Sequence, residues 1–320
     1  MAQPLPQRLK FLPISAFATV MGMSGLAIAW EKAQLLHGFS GVAGVLFVVT
    51  TALFVFLALA YGSKFLLYRE EILKELHHPV RLSFFPTISI SLILLSIASY
   101  TIDQSVSQVL WWCGSALHLL FTLYVLNAWI SHEHFQIQHM NPAWFIPVVG
   151  NVLVPIVGVE HGYFEISWFY FSIGMLFWVV LLTIVLYRIF FHSPLPGKLL
   201  PTLFILIAPP AVGFIAYWKL TGEIDAFARV LYYSGLFTTM LLLVQLRRFT
   251  RLKFFLSWWA YSFPLAAITI ATFVMYQSLG FVQLMWLGNI LLACLSLVII
   301  MLVGYTAMAV RRGEICMPEE

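Results

Sequence analysis

The chain has 320 residues, of which 62% are hydrophobic and only 9% are charged. A soluble domain carries about 25% charged residues, so this composition excludes a soluble enzyme, a nucleic-acid-binding protein and a disordered chain. The three cysteines, Cys113, Cys294 and Cys316, lie far apart and provide neither a disulfide framework nor a Cys-x-x-Cys metal site. The sequence therefore predicts a polytopic membrane protein.

Long apolar segments free of Asp, Glu, Lys and Arg recur along the whole chain. A helix that crosses the hydrocarbon core takes roughly 20 such residues. The last segment, 254–310, is long enough for two helices and has a polar break at Tyr276-Gln277-Ser278. We predict one all-α membrane domain, residues 1–320, with ten transmembrane helices. The predicted spans are 11–33, 38–68, 82–102, 104–131, 142–159, 163–190, 199–219, 224–247, 254–277 and 282–310.

Basic residues are distributed unequally between the two sides of these spans. With ten spans both ends of the chain share one side, which collects most of the Lys and Arg residues. The opposite side has only Lys32, Lys219 and Arg229. Because positively charged loops stay in the cytoplasm, we expect both ends to be cytoplasmic and the protein to lie in the cell membrane, as in a bacterial inner membrane.

Prolines inside the predicted spans fall only in odd-numbered spans. A proline frees a backbone carbonyl, which a membrane tolerates only where protein or a water-filled cavity receives it. The pattern indicates five helical hairpins, each with one kinked and one straight helix, and an inner ring of kinked helices around a central pore. Alternatively, prolines are simply common in transmembrane helices and reflect fold geometry alone. The prolines well inside a span are Pro86, Pro147, Pro155, Pro209, Pro210 and Pro264, and Pro13 opens the first span.

The odd spans supply the candidate pore residues. Phe263 and Phe85 each adjoin a proline and are the candidate gates, and Arg81 lies at the cytoplasmic mouth. No acidic or basic residue lies in the middle of an odd span, which favours a passive anion pore over an ion-coupled transporter. The Lys and Arg residues at the mouth attract anions or reflect topology alone. The lining or kink residues are Gly22, Pro86, Pro147, Gly150, Asn151, Pro209 and Pro264.

Histidines offer a rival interpretation. His132, Glu133, His134 and His139 in one loop could bind a metal, as in a membrane metalloenzyme. A solvated connector explains the same residues, and no second ligand set appears on another loop. His118, in the middle of a span, has no partner histidine at similar depth. We find no catalytic residues and expect neither a metal nor another cofactor.

Several motifs together resemble the tellurite-resistance/dicarboxylate transporter family, which includes bacterial TehA and the slow-type anion channels of plant guard cells. The resemblance covers nearly the whole chain. The motifs are His78-Pro79-Val80-Arg81, Asn141-Pro142, Val148-Val149-Gly150-Asn151, Ala208-Pro209 and Trp259-Ala260-Tyr261-Ser262-Phe263-Pro264.

The resemblance implies ten helices with quasi-five-fold symmetry around a pore in each subunit, and a homotrimer. It also implies a gating phenylalanine at Phe263 and a second pore aromatic at Phe85. Ser15 and Ala18 stand where the resemblance to TehA leads us to expect glycines, so the pore width of TehA does not carry over at that level.

The function expected from these observations is an anion channel that passes small monovalent anions such as chloride and nitrate. If selectivity depends on anion dehydration, nitrate should pass more easily than chloride. The alternative is a proton-linked carrier or efflux protein for C4-dicarboxylates such as malate, or for tellurite-related oxyanions. The expected partners are small inorganic or organic anions, the lipid bilayer and two further copies of the chain, and no nucleic acid.

Overall fold

The computed structural model describes residues 5–131 and 135–317, and no β-strand occurs within these two ranges. The prediction of an all-α membrane protein is confirmed. The α-helices are α1 (Leu5–Lys10), α2 (Ala18–His37), α3 (Val42–Leu67), α4 (Arg69–His77), α5 (Thr87–Ser99), α6 (Gln104–Ser131), α7 (Phe145–Val149), α8 (Val154–Gly158), α9 (Phe164–Phe191), α10 (Ala208–Thr221), α11 (Ala226–Val244), α12 (Leu246–Phe249), α13 (Ser262–Leu279) and α14 (Val282–Arg312).

Short 3₁₀ segments precede or interrupt several of these helices. Some of them continue directly into an α-helix and lengthen it, so that nine continuous helices of the described chain are long and apolar enough to cross a membrane. These nine begin and end within a few residues of nine of the predicted spans. The 3₁₀ segments are Ile14–Phe17, Arg81–Phe84, Ile137–His139, Pro142–Trp144, Gly150–Leu153, Leu200–Ile207 and Leu256–Tyr261.

The fifth predicted span is a shorter segment, Pro142–Gly158, in which 3₁₀ and α-helical turns alternate. Its two α-helical parts have 5 residues each, and its two 3₁₀ parts have 3 and 4. Rises of about 1.5 Å and 2.0 Å per residue give a total length of about 29 Å. This length matches the hydrocarbon core of about 30 Å, so the tighter 3₁₀ turns compensate for the small number of residues.

Burial separates odd-numbered from even-numbered spans. We compare the most apolar stretch of 18 residues in each long span. In the first, third, seventh and ninth spans 78% to 89% of this stretch is buried, against 11% to 33% in the five even-numbered spans. A buried helix that is apolar on all sides lies in the interior of a protein. The even spans expose long apolar surfaces, which is typical of helices in contact with lipid. The odd spans therefore form the inside of the molecule and the even spans cover them.

The prolines of the odd spans lie at the start of α-helices and not in the middle of them. Pro86 directly precedes α5, Pro209 and Pro210 lie in the first turn of α10, and Pro264 is the third residue of α13. A first-turn residue has no intrahelical partner for its N–H, so proline is tolerated there. The expected mid-helix kinks are thus transitions from a 3₁₀ segment to an α-helix.

Hydroxyl side chains satisfy backbone carbonyls at these transitions. Thr87 Oγ1 donates to the carbonyl of Phe84 (2.5 Å), and Ser262 Oγ donates to that of Trp259 (2.6 Å). The same bond to the carbonyl three residues earlier is made by Thr19, Ser89 and Thr202. Such bonds remove the cost of an unpaired carbonyl in an apolar environment. Many hydroxyls of the inner spans therefore stabilise the backbone.

The molecule has two distinct ends, which we call lower and upper. At the lower end α1 lies close to the end of α14. A Cβ atom placed on Gly313, directly after α14, would be 3.2 Å from a guanidinium nitrogen of Arg8 in α1. The buried Lys64 ammonium there lies 3.0 Å from Glu75 of α4 and donates to the carbonyl of Leu12 (2.8 Å). The upper end holds the connections that follow α2, α5, α8, α10 and α13.

Candidate functional site

Two cavities lie between the odd spans. The upper cavity has a volume of about 230 Å³ and the lower one about 60 Å³. All five odd spans contribute residues to each cavity, whereas the residues that line them include none from the helices α3, α6, α9, α11 and α14. The two cavities therefore occupy the interior that the inner spans enclose.

The five inner segments line the upper cavity in one common register. Each segment contributes residues at positions i, i+3 and i+7, which lie on one face of a helix. At the middle position every segment has an isoleucine. We call this set the isoleucine ring: Ile28, Ile97, Ile156, Ile215 and Ile270.

One helical turn above the isoleucine ring the same register reaches the rim of the upper cavity, where four of the five segments have a polar residue. Lys219 forms an ion pair with Glu160. Thr101 Oγ1 donates a hydrogen bond to Glu31 Oε1 (2.7 Å). Glu31 directly precedes Lys32 on α2. The rim residues are Lys32, Thr101, Glu160, Lys219 and Val274.

His161 follows the rim and lies between two predicted spans. Its Nε2 atom is 3.0 Å from Ser107 Oγ. Partial burial lowers the pKa of His161 from its ordinary value, and the nearby Glu160 carboxylate opposes this shift. His161 therefore carries less positive charge at neutral pH than an ordinary histidine.

Phe263 is the only described residue that lines both cavities. Its backbone belongs to the first turn of α13, directly before Pro264. A Cβ atom placed on Gly25 of α2 would lie 3.4 Å from Cδ2 of the Phe263 ring. The ring thus lies against the glycine of the neighbouring helix, at the boundary between the upper and lower cavities.

The lower cavity contains several of the residues singled out in the sequence. Pro264 lines it, and so do Ser15 and Ala18, which stand where glycines were expected. Phe84 also lines it, together with Thr87, whose hydroxyl is already bonded to a backbone carbonyl. Larger side chains at 15 and 18 make this part of the interior narrower than glycines would.

Phe85 lies away from both cavities. It is 5% exposed and belongs to a separate aromatic cluster, with its ring centroid 6.4 Å from that of Tyr61 and 6.3 Å from that of Phe121. Consecutive residues of a 3₁₀ turn point about 120° apart, so Phe84 faces the lower cavity while Phe85 faces α3 and α6. The described position of Phe85 is that of a packing residue.

The candidates of the fifth span face the outer helix α6. Thr122 Oγ1 donates to the carbonyl of Pro147 (2.7 Å), and Asn151 Nδ2 donates to Thr122 Oγ1 (3.0 Å). A Cβ atom on Gly150 would lie 2.6 Å from Cε1 of His118, a distance too short for any side chain. His118 in turn hydrogen-bonds through Nδ1 to Ser89 (2.9 Å). These residues join an inner span to its covering helix.

The remaining candidates also have positions outside the lining of the two cavities. A Cβ atom on Gly22 would lie 2.1 Å from Ser262 Oγ, so this glycine permits close contact of α2 with α13. Pro86 and Pro209 are buried at the starts of their helices. Arg81 is half-buried, and its backbone N–H donates to His78 Nδ1 (3.2 Å).

The histidine loop is only partly described. His132, Glu133 and His134 lie outside the described residues. His139 accepts a hydrogen bond from the backbone N–H of Gln136 through Nδ1 (3.2 Å) and so caps the turn Ile137–His139. No group of three potential metal ligands occurs within residues 5–131 and 135–317.

The buried inner spans, the lipid-facing outer spans and the axial cavities define a multi-pass α-helical membrane protein with a candidate pathway through its centre. The profile of the SLAC1 family, described as voltage-dependent anion channels, matches residues 12–307. The chain belongs to this family, as its motifs predicted. The family consists of anion channels and transporters and not of enzymes.

The chain is similar to plant and bacterial members. It is 29% identical over 95% of its length to the S-type anion channel SLAH2 of Arabidopsis thaliana, and 31% identical over 81% of its length to SLAH3 of the same plant. It covers 60% and 42% of these two relatives. It is also 28% identical over 83% of its length to the tellurite resistance protein TehA homolog of Haemophilus influenzae, of which it covers 82%.

Sequence reasoning missed three features of the cavities: the isoleucine ring, Phe84 in the lining of the lower cavity, and Lys32 at the rim. Lys32 was interpreted only as a topology signal. The i, i+3, i+7 register is visible in the sequence once the lining face of each span is known, but proline positions alone do not identify that face.

Proposed function

We propose that the protein is an anion channel whose pathway is the pair of cavities enclosed by the inner spans, and that Phe263 is its gate. The observation that carries this proposal is the position of Phe263, which borders both cavities while the other lining residues border only one. A side chain at such a boundary blocks the pathway when it lies across the axis and opens it when it moves aside.

The lining supports selection among anions by the cost of dehydration. The isoleucine ring offers a permeating anion no hydrogen-bond donor, so the anion must lose part of its hydration shell there. Nitrate holds its water less strongly than chloride. We therefore expect nitrate to be more permeant than chloride, and a reversal potential under bi-ionic conditions measures this order. A chloride preference would contradict dehydration as the basis of selectivity.

We also propose that the lower end is cytoplasmic and that the protein is a homotrimer in the cell membrane, as in a bacterial inner membrane. The excess of Lys and Arg in the segments of the lower end supports the orientation. The resemblance to the family supports the trimer. Reporter fusions at residue 317 and the mass of the purified protein in detergent test these two statements.

The gate is tested by currents from the purified protein in planar bilayers, with wild type compared to Phe263→Ala. Removal of the ring should open the boundary between the cavities. We expect the anion current to rise more than about tenfold, equivalent to a barrier lower by about 1.4 kcal/mol. Phe237→Ala is the matched control, because the Phe237 side chain is 66% exposed on an outer helix, and its current should equal that of wild type.

Two further outcomes discriminate between interpretations. Phe85→Ala should leave the current at the wild-type level, since Phe85 packs against Tyr61 and Phe121. A larger current in this variant would make Phe85 a gate. If Phe263→Ala passes no more current than wild type, the proposal that Phe263 is the gate is wrong. If the protein instead accumulates labelled malate only with a pH gradient, the channel proposal fails and a proton-linked carrier replaces it.

A further inference from the structure

Four charged side chains line the upper cavity at its mouth: Glu31, Lys32, Glu160 and Lys219. Their formal charges cancel, but their contacts are unequal. Lys219 is paired with Glu160, and Glu31 accepts a hydrogen bond from Thr101 (2.7 Å). Among the described residues, none forms a hydrogen bond or an ion pair with the Lys32 ammonium.

The position of Lys32 explains why Glu31 does not neutralise it. Adjacent residues of a helix do not face each other, and Thr101 holds the Glu31 carboxylate toward the connection between α5 and α6. The electrostatic neighbours of Lys32 are Lys219, Glu31 and Glu160, and the last is already committed to Lys219. The ammonium thus lines the cavity without a direct counter-ion.

An unpaired charge beside an apolar wall is costly unless a partner satisfies it. Below Lys32 the wall of the cavity is apolar, beginning with the isoleucine ring. The cheapest partner for the ammonium is an anion from solution, which keeps most of its water at this level. The rim is therefore a place where an anion can be held before it is dehydrated.

We infer that Lys32 forms an anion-binding subsite at the mouth of the upper cavity, for small monovalent anions that approach from the upper side. The inference rests on the proposed channel function, because it assigns a step to the same pathway. The subsite raises the local concentration of anions above the isoleucine ring and so increases conductance when salt is dilute. Screening removes this advantage in concentrated salt.

The test uses unitary conductance in the Phe263→Ala background, with chloride at about 0.1 M and about 1 M, where the Debye length is roughly 10 Å and 3 Å. Lys32→Gln should lower the conductance at the lower concentration by roughly threefold, the order expected for one unit charge a few ångströms from the anion in a watery environment. At the higher concentration the Lys32→Gln variant and its Phe263→Ala parent should have nearly the same conductance. Lys32→Arg should retain the parent conductance.

Two more variants complete the test. Glu31→Gln should raise the conductance at about 0.1 M, since it removes a negative charge beside the subsite. Arg229→Gln removes the same unit charge at the same end, but from an exposed residue of α11 outside the cavity lining. Its conductance should not change at either concentration.

The outcomes separate the subsite from the channel. If Phe263→Ala carries an anion current that Lys32→Gln leaves unchanged at both concentrations, the subsite is overturned and the channel stands. An equal loss at both concentrations overturns the subsite as well, because it indicates a change of pore shape. If Lys32→Gln does not fold, an unchanged conductance in Glu31→Gln overturns the subsite. If the Phe263→Ala parent carries no anion current, the proposed function fails and the subsite loses its basis.

Discussion

The two ends of the molecule hold their charges in opposite ways. At the lower end the ion pair of Lys64 with Glu75 is buried, with side-chain exposures of 2% and 6%. At the upper end the ion pair of Lys219 with Glu160 is open to solvent, with exposures of 22% and 35%. The cavity beside the upper pair is also the larger one, at about 230 Å³ against about 60 Å³.

The lower ion pair is buried because it connects several helices of the fold. At the lower end Glu75 belongs to the amphipathic helix α4, and it accepts from both Lys64 of α3 and Tyr61 OH (2.7 Å). Lys64 also donates to the backbone of residue 12, just before the first inner span. One charge network therefore connects the covering layer, α4 and the start of the inner layer. The upper end has no comparable network among the described residues, and four of its charged side chains, Glu31, Lys32, Glu160 and Lys219, line the cavity.

The largest expected effect comes from the lower pair. Lys64→Met leaves the Glu75 carboxylate buried without its cation, which typically costs about 3–5 kcal/mol. Lys219→Met breaks the same kind of pair where solvent screens it, and exposed pairs contribute about 0–1 kcal/mol. Thermal or chemical denaturation of the protein in detergent measures the free energy of unfolding. This free energy should fall much more for Lys64→Met than for Lys219→Met.

A double variant sharpens this prediction. Lys64→Met with Glu75→Leu removes both charges, so the penalty for an isolated buried carboxylate disappears and part of the lost stability should return. Tyr61 then lacks its acceptor, and recovery should stay incomplete. Equal losses for Lys64→Met and Lys219→Met would show that burial does not distinguish the two ends.

The fold could be predicted from the sequence because its signals are long and repeated. Apolar segments of about 20 residues are unmistakable in length, and the restriction of prolines to odd spans identified the buried layer. The fifth predicted span is the shorter segment Pro142–Gly158. Its 3₁₀ turns lengthen it, and apolarity alone does not reveal such turns.

The lining of the two cavities was harder to predict because proline does not fix the rotation of each helix. Pro264 precedes Ile270 by six residues, whereas Pro13 precedes Ile28 by fifteen. Alignment on the prolines therefore conceals the isoleucine ring. For the same reason two neighbouring phenylalanines, Phe84 and Phe85, were indistinguishable until the helix face was known. Phe263 adjoins its proline and was found, and its role as a gate stays a prediction.

The smallest expected effect concerns an exposed carboxylate of the upper end. Asp225 accepts a hydrogen bond from the backbone N–H of Ala228 (2.9 Å) at the start of α11 and another from Tyr217 OH (2.6 Å). The bond from Ala228 is the main cause, and that from Tyr217 the second, of a lowered pKa for Asp225. A lowered pKa means that the folded state favours the carboxylate, so Asp225 stabilises the protein above its ordinary pKa of 3.8 and stops doing so as the pH falls through the lowered value.

Asp225→Ala should therefore lower the Tm slightly at pH 7, and the difference from wild type should shrink as the pH falls below about 4. Asp225→Asn is the matched control, because asparagine caps a helix equally well but carries no charge. Its Tm at pH 7 should lie between those of wild type and Asp225→Ala, and its difference from wild type should disappear at acidic pH. A deficit of Asp225→Ala that stays constant down to acidic pH would mean that the charge of Asp225 contributes nothing.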